Sequence, residues 1–520
     1  MEIIKKNISI DKKIGREINQ ILIEGDIIVS DSKPDIDRLL EANASAYIDN
    51  KDILNDKLAI KGNLDINVLF ISKSDDKAIF NMSTSYPIND FINMENINSD
   101  MTVFASCSIT NLDYKLINDR KVSFRAILDI CAEVMGKEDF DAISSIDQLE
   151  NCHVKKSNIK INKLVCSKFD RFNIKDELEI SSNRPNIKEI LDVNLNISNK
   201  DVRLSLDKIS VSGDVKVGIL YKGEEDTDII TYFEQDIPFN GSIETMGAEE
   251  GMFADIFLDI QSKTIEITQN DDGEDRMIEL DIYIGCNVKI TYEEEMEFLE
   301  DAYCLSKSLS FEKTSQTYPY LICKNKNQAI IKDVVLIDDD APKIMQVLKA
   351  SGKPILDNIH LLDDKVMAEG VIECKILYIT NNDDYPINSI DAIIPYSQLI
   401  ETKGATPQTI TDIKLNLEHV SVNMLSEKEL EIRSSVNFDT FVIDERDLAF
   451  MTEALVEDIN VDFLNNISSM TIYIVQHGDT LWNLSKQFNT TIDDILKIND
   501  LENPDLIYPN QKLLILKKVC

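Results

Sequence analysis

The sequence predicts a mainly β protein: three tandem β-rich domains, each a sandwich or open barrel, followed by a small α+β module with the order strand, helix, helix, strand. Three observations carry this. A set of landmarks recurs three times at domain-length spacing, the segments around them alternate apolar and polar residues, and the last fifty residues switch to helical spacing. A chain of 520 residues also exceeds the roughly 250–300 residues that one core usually fills, so several domains are expected.

The first landmark is Pro-x-Ile-x-x-aliphatic-Leu, found at Pro34–Leu40, Pro185–Leu191 and Pro342–Leu348. The second is a glycine-led run, Gly62–Phe70, Gly213–Tyr221 and Gly370–Tyr378, always 28 residues after the first proline. The third is a proline, Pro87, Pro238 or Pro395, always 53 residues after it. Successive copies lie 151 and 157 residues apart. That is too long for a solenoid unit and right for a whole domain. The expected domains are 8–160, 161–318 and 319–465.

In the glycine-led run, Leu64, Ile66, Val68 and Phe70 share one face, the period of a half-buried strand. The segments before each first proline, Ile21–Val29, Ile174–Ile180 and Ile330–Ile337, are β-branched and read as extended. The proline then stops ladder pairing. Ile36 with Leu39 and Leu40 has helical spacing, so a turn or short helix is expected after it. Later runs such as Lys121–Ile130 and Glu429–Phe438 alternate again, and Asn270-Asp-Asp-Gly273 reads as a hairpin turn. The connections are short and poor in Gly and Ser, which predicts a semi-rigid rod of domains with a hinge near Asn465–Met470.

The C-terminal module, 470–517, begins with the strand Ile472–Val475. His477-Gly478-Asp479 is a turn, and Asp479 or Thr480 can cap the helix that follows. Leu481, Leu484, Ser485 and Phe488 form its inner stripe. Thr491-Ile-Asp-Asp494 opens a second helix, Asn503-Pro-Asp starts a loop, and Lys512–Leu516 closes the module as a strand. Trp482 is the single tryptophan, and reads either as a cover for a small core or as a binding anchor.

Composition restricts function. The net charge of −39 repels nucleic acid and anionic lipid. No apolar run reaches the length of a signal peptide at Met1–Asn7 or of a membrane span anywhere, so a protein that stays where it is made is expected, with no membrane insertion. Nine cysteines without a Cys-x-x-Cys pair predict reduced, mostly buried thiols, with Cys520 exposed. No phosphate loop and no nucleophile elbow occurs. The four histidines are scattered, Cys152-His153 reads as structural, and Asp338–Asp340 reads as a solvated turn. Asn270–Asp275 does not fit a calcium loop. No carboxylate pair stands out for acid–base work, so no catalytic residue, metal or cofactor is assigned.

Two resemblances add to this reading. The segment Thr471–Gln511 resembles LysM domains, which usually bind N-acetylglucosamine polymers. By that resemblance the ligand groove lies between Gly478-Asp479-Thr480-Leu481 and Asn503-Pro504-Asp505-Leu506-Ile507, with Trp482 on the first helix beside it. Asn510 stands where the family usually has glycine. The threefold landmarks resemble SPOCS-type domains of clostridial sporulation and spore-coat proteins. Their order, with one LysM at the end, is similar to that of the SipL-like coat morphogenetic proteins. This resemblance implies a non-enzymatic scaffold in the mother-cell cytoplasm at the forespore surface. Its LysM domain would bind a coat-basement morphogenetic ATPase of the SpoIVA type. The acidic repeats are expected to recruit further coat proteins or to self-associate. The alternative is a peptidoglycan-binding protein of the cortex or wall.

Overall fold

The computed structural model describes residues 2–518 except 75–76, 148–150, 225–228, 383, 502 and 504–506. Alternating sequence becomes long antiparallel strands. The first repeat comprises β1 (Glu2–Ile28), β2 (Ile36–Leu54), β3 (Lys57–Ser72), β4 (Ile79–Asn93), β5 (Thr102–Asn118) and β6 (Lys121–Asp147). They form two three-stranded sheets, β1-β6-β5 and β2-β3-β4. The second repeats this order with β7 (Cys152–Glu179), β8 (Ile187–Ser205), β9 (Lys208–Gly223), β10 (Ile230–Glu244), β11 (Phe253–Gln269) and β12 (Asp275–Cys304). The third does so with β13 (Lys307–Leu336), β14 (Ile344–Leu362), β15 (Lys365–Thr380), β16 (Ile387–Glu401), β17 (Ile410–Ser426) and β18 (Glu429–Asp458). In each repeat both sheets contribute to one core. In the first, Leu64, Ile66 and Val68 of β3 meet Val122, Ala126 and Leu128 of β6.

The landmarks now have physical causes. A Cβ on Gly62 or Gly370 would lie 2.1 or 2.0 Å from the carbonyl oxygen of Tyr47 or Ile355 on the neighbouring strand, so only glycine fits. Pro87, Pro238 and Pro395 sit on the edge strands β4, β10 and β16, where a missing N–H costs no ladder bond. Tyr221 and Tyr378, the last landmark residues of their runs, donate to the carbonyls of Pro185 and Pro342 at 3.2 Å. A further threefold device was not singled out from sequence. Asp56, Asp207 and Asp364 take positive φ in the turn after β2, β8 and β14. Their carboxylates accept from the backbone N–H of Asn96, Gly247 and Gly404 at 2.6–2.9 Å, tying two turns together.

Two expectations are corrected. The residues after each first proline are strand, not helix: Ile36, Ile187 and Ile344 begin β2, β8 and β14. Register shifts within Ile36–Glu41 bend the strand, which produces the helix-like spacing of its inward residues. Nor do the repeats form a rod. Leu40, Leu191 and Leu348, one from each repeat and six residues after its proline, meet in a shared core with Leu69, Leu220 and Leu377. The repeats therefore close around a pseudo-threefold centre. The residue after each leucine is charged and buried there: Glu41, Asp192 and Lys349. Lys349 Nζ lies 2.5 Å from Asp192 and 3.4 Å from Glu41. Asn67 donates to Asp192 at 2.8 Å. Burial opposes both charges, yet the ion pair outweighs it, so Asp192 sits below and Lys349 above its ordinary pKa.

The pairs β1/β6, β7/β12 and β13/β18 extend beyond the sheets as three ribbons. A strand of 27 residues reaches up to about 90 Å, far past a core. A bulge marks where each ribbon leaves its repeat, skipping Ile14, Val165 and Ile322 in the pairing. The ribbons pack on one another through a second threefold core. Ile10, Ile161 and Tyr318, all 24 residues before their proline, meet Phe140, Phe298 and Phe450 there. No helix among the described residues is long and apolar enough to cross a membrane.

Candidate functional site: the docked C-terminal module

After β18 the chain forms α1 (Val461–Asn466), β19 (Met470–Ile474), α2 (Leu481–Gln487), α3 (Ile492–Ile498) and β20 (Lys512–Leu516). β19 pairs with β20 antiparallel, and both helices pack on one face. Val475, Leu481, Leu484, Ile495, Leu513 and Ile515 form the core. Thr480 caps α2 by accepting from Asn483 N, and Thr491 caps α3 by accepting from Asp494 N. The segment expected to be the hinge is held: Lys517 Nζ donates to the carbonyls of Leu464 and Ile467 at 2.9 and 3.1 Å.

The candidate groove residues separate into three groups. Gly478 is exposed at φ +90°, a conformation glycine favours, and nothing lies within 4 Å of where its Cβ would be. Asp479 shapes the turn, accepting from Gln476 N at 2.7 Å and from the Tyr473 hydroxyl at 3.0 Å. Thr480 and Asn503 are exposed, and Ile507 packs partly against the module core. Leu481 is in the core, which explains an apolar residue there without a ligand. Pro504, Asp505 and Leu506 lie outside the described residues, as does Cys520.

Trp482 neither fills the module core nor faces solvent freely. Its indole packs edge-on against Tyr303 at 5.0 Å, and its Nε1 donates to Asp301 Oδ2 at 2.8 Å. Lys486 Nζ, one turn along α2, meets the same oxygen at 2.7 Å. Tyr303 donates to Thr490 O at 3.1 Å, and Asn489 Nδ2 to Leu305 O at 3.3 Å. The module is thus docked on the tip of the second repeat's ribbon. Burial would raise the Asp301 pKa, but the bonds from Lys486 and Trp482 outweigh it and hold the carboxyl below its usual range. Asp301, Tyr303, Lys486, Asn489 and Thr490 were invisible to sequence reasoning, because about 180 residues separate the two halves of the contact.

Beside this contact, Cys152 and Cys304 form a disulfide across β7 and β12. This corrects the expectation of reduced thiols throughout. Strand register places the pair opposite each other, which spacing alone does not show. His153 stacks on Tyr303 at 5.1 Å, so Cys152-His153 is part of the ribbon tip. The six other described cysteines are free, and burial pushes Cys107 and Cys374 to about 11 and Cys286 to about 12. No group of three or more metal-type side chains occurs among the described residues.

The SipL, SPOCS-domain family model matches at 35–117, 186–268 and 343–425, and the LysM-domain model at 473–516. The chain therefore carries three SipL SPOCS domains and a C-terminal LysM domain. The SPOCS matches cover β2–β5, β8–β11 and β14–β17, leaving most of the long ribbon strands outside. A spore coat assembly protein, ExsA, of Bacillus cereus is 46% identical over 50 residues, 9% of this chain and 8% of that protein. SpoIVD-associated factor A of Bacillus subtilis (strain 168) is 40% identical over 47 residues, 9% of this chain and 12% of that protein. The chain thus spans only about a tenth of the length of these curated relatives. No solved structure matches.

Proposed function

We propose that this protein is a non-enzymatic scaffold of spore coat assembly. It works in the mother cell at the forespore surface, where its LysM domain binds a coat-basement morphogenetic ATPase of the SpoIVA type and its repeats hold further coat proteins. The observation that carries this reading is the module's own contact. The Trp482–Lys486 face of this LysM is built to pack on protein, with an aromatic pair and charge-assisted bonds to Asp301. The coat-assembly names of the matched relatives and the SPOCS repeats support the same direction. Charge also fits: the segment 470–520 holds only six acidic residues against five basic ones, so nearly all of the −39 rests on the repeats. The module approaches a partner without that repulsion.

The second reading, peptidoglycan binding, is favoured by the exposed first loop, where Gly478 takes a positive φ and nothing lies within 4 Å of its Cβ position, so the turn is open to a ligand. Binding of purified full-length protein to a purified SpoIVA-type ATPase, with and without chitin oligomers, separates the two. Binding that chitin oligomers leave unchanged supports the scaffold. Retention on insoluble peptidoglycan with no binding to the ATPase supports the alternative.

A further inference from the structure

We propose that the outer edge of the third repeat is a strand-addition site, taking an extended segment of a partner protein whose apolar residues alternate and whose flanks are basic. β13 has a ladder neighbour, β18, on one side only. Its other side approaches β16, where Asn325 Nδ2 donates to Glu401 O at 2.6 Å, but makes no ladder bonds there among the described residues, which leaves it able to pair with an added strand. Along this edge Ile330, Lys332, Val334 and Leu336 share the outward face, and the three apolar residues are 68%, 50% and 67% exposed. The molecule carries its own controls. The same positions, counted back from the repeat's proline, hold Asn173, Glu177 and Glu179 in the second repeat and Leu22, Asp26 and Ile28 in the first. One fold position therefore accepts apolar, mixed or charged residues, and packing does not dictate the apolar stripe. Edge strands are ordinarily kept from pairing by charge. The second repeat follows that rule with Lys175, Glu177 and Glu179, whereas the third carries one charge, Lys332, among exposed apolar residues.

Charge selects the occupant. Asp338, Asp339 and Asp340 follow the stripe directly, with Glu427 and Glu429 on the adjoining turn and strand. Lys428 pairs with Asp339 and Lys343 with Glu427. Asp338, Asp340 and Glu429 have no ion-pair partner among the described residues. A basic flank on the incoming strand would neutralise them, whereas a second copy of this chain, itself at −39, would add like charge.

The test uses the full chain and a short synthetic peptide of alternating valine and lysine, with binding followed by fluorescence anisotropy. Val334→Lys places a charge on an exposed edge position and leaves the fold intact, which a thermal melt checks. Glu179→Lys, on the second repeat, controls for bulk charge. The expected result is about tenfold weaker binding to Val334→Lys, a comparable loss when the peptide's backbone amides are N-methylated, and little change with Glu179→Lys. Absence of binding to wild type, equal losses in both variants, or full binding of the N-methylated peptide overturns the proposal. So does sedimentation showing a wild-type dimer that Val334→Lys dissolves, since the occupant would then be a second copy.

Discussion

The centre of the repeats and the foot of the LysM domain both rest on a carboxylate held by a lysine, and they differ in nearly everything else. At the centre Lys349 is 3% exposed and is enclosed by three leucine-bearing strands from different repeats. At the foot, Lys486 is exposed and Asp301 half-buried, and the contact joins one ribbon tip to one short helix. An ion pair in the first setting is strongly destabilising to break, because the orphaned charge cannot reach water. The second can open at small cost. The repeats are thus fixed as one body, while the LysM domain is attached by a contact that a partner can replace.

The largest effect is expected at the centre. Lys349→Met leaves Glu41 and Asp192 buried without a cation, and should lower unfolding free energy by about 3–5 kcal/mol in denaturant titration. Replacing Glu41, Asp192 and Lys349 together by apolar residues should recover most of that loss, which would show that charge balance, not the ion pair itself, is what the centre requires. Gly370→Ala comes next, at about 1–3 kcal/mol, since the new methyl meets the Ile355 carbonyl. Asp301→Asn should leave the repeats' melting unchanged and weaken docking by about 1 kcal/mol. Because Trp482 is the single tryptophan, its emission reports this directly, shifting red as the indole leaves Tyr303.

Acid and alkali sharpen the same contrast. Asp192 and Asp301 both titrate below their ordinary value in the folded protein. Their stabilisation is therefore present above about pH 4 and is lost as pH falls through the depressed values. Lys349 is raised, so its contribution is full below about pH 10 and is lost only as pH rises through the higher folded value. Tryptophan emission and far-ultraviolet dichroism should both change in acid. In alkali the dichroism of the repeats should respond as Lys349 loses its proton.

The strands, the three copies and the module were legible in the sequence because each rests on local periodicity or fixed register: Leu64 to Phe70 alternate, and Pro34, Pro185 and Pro342 anchor equal offsets. The closed arrangement was not. Glu41, Asp192 and Lys349 occupy one register position, yet a charged residue after a leucine reads as solvent-facing until three copies are placed around it. Ile36–Leu40 misled because a bulged strand and one helical turn space apolar residues alike. Cys152 and Cys304 were separated by a repeat length, and only strand register joins them. At the candidate groove, the turn at Gly478 and the cap at Thr480 followed from residue type. Trp482 did not, because its partners come from the second repeat.

The most direct test of the scaffold reading compares full-length wild type with Trp482→Ala for binding to a purified SpoIVA-type ATPase and, separately, to insoluble peptidoglycan. The account predicts that wild type binds the ATPase, that Trp482→Ala binds it at least tenfold more weakly, and that neither sediments with peptidoglycan. Sedimentation of both proteins with peptidoglycan, without measurable binding to the ATPase, would contradict it.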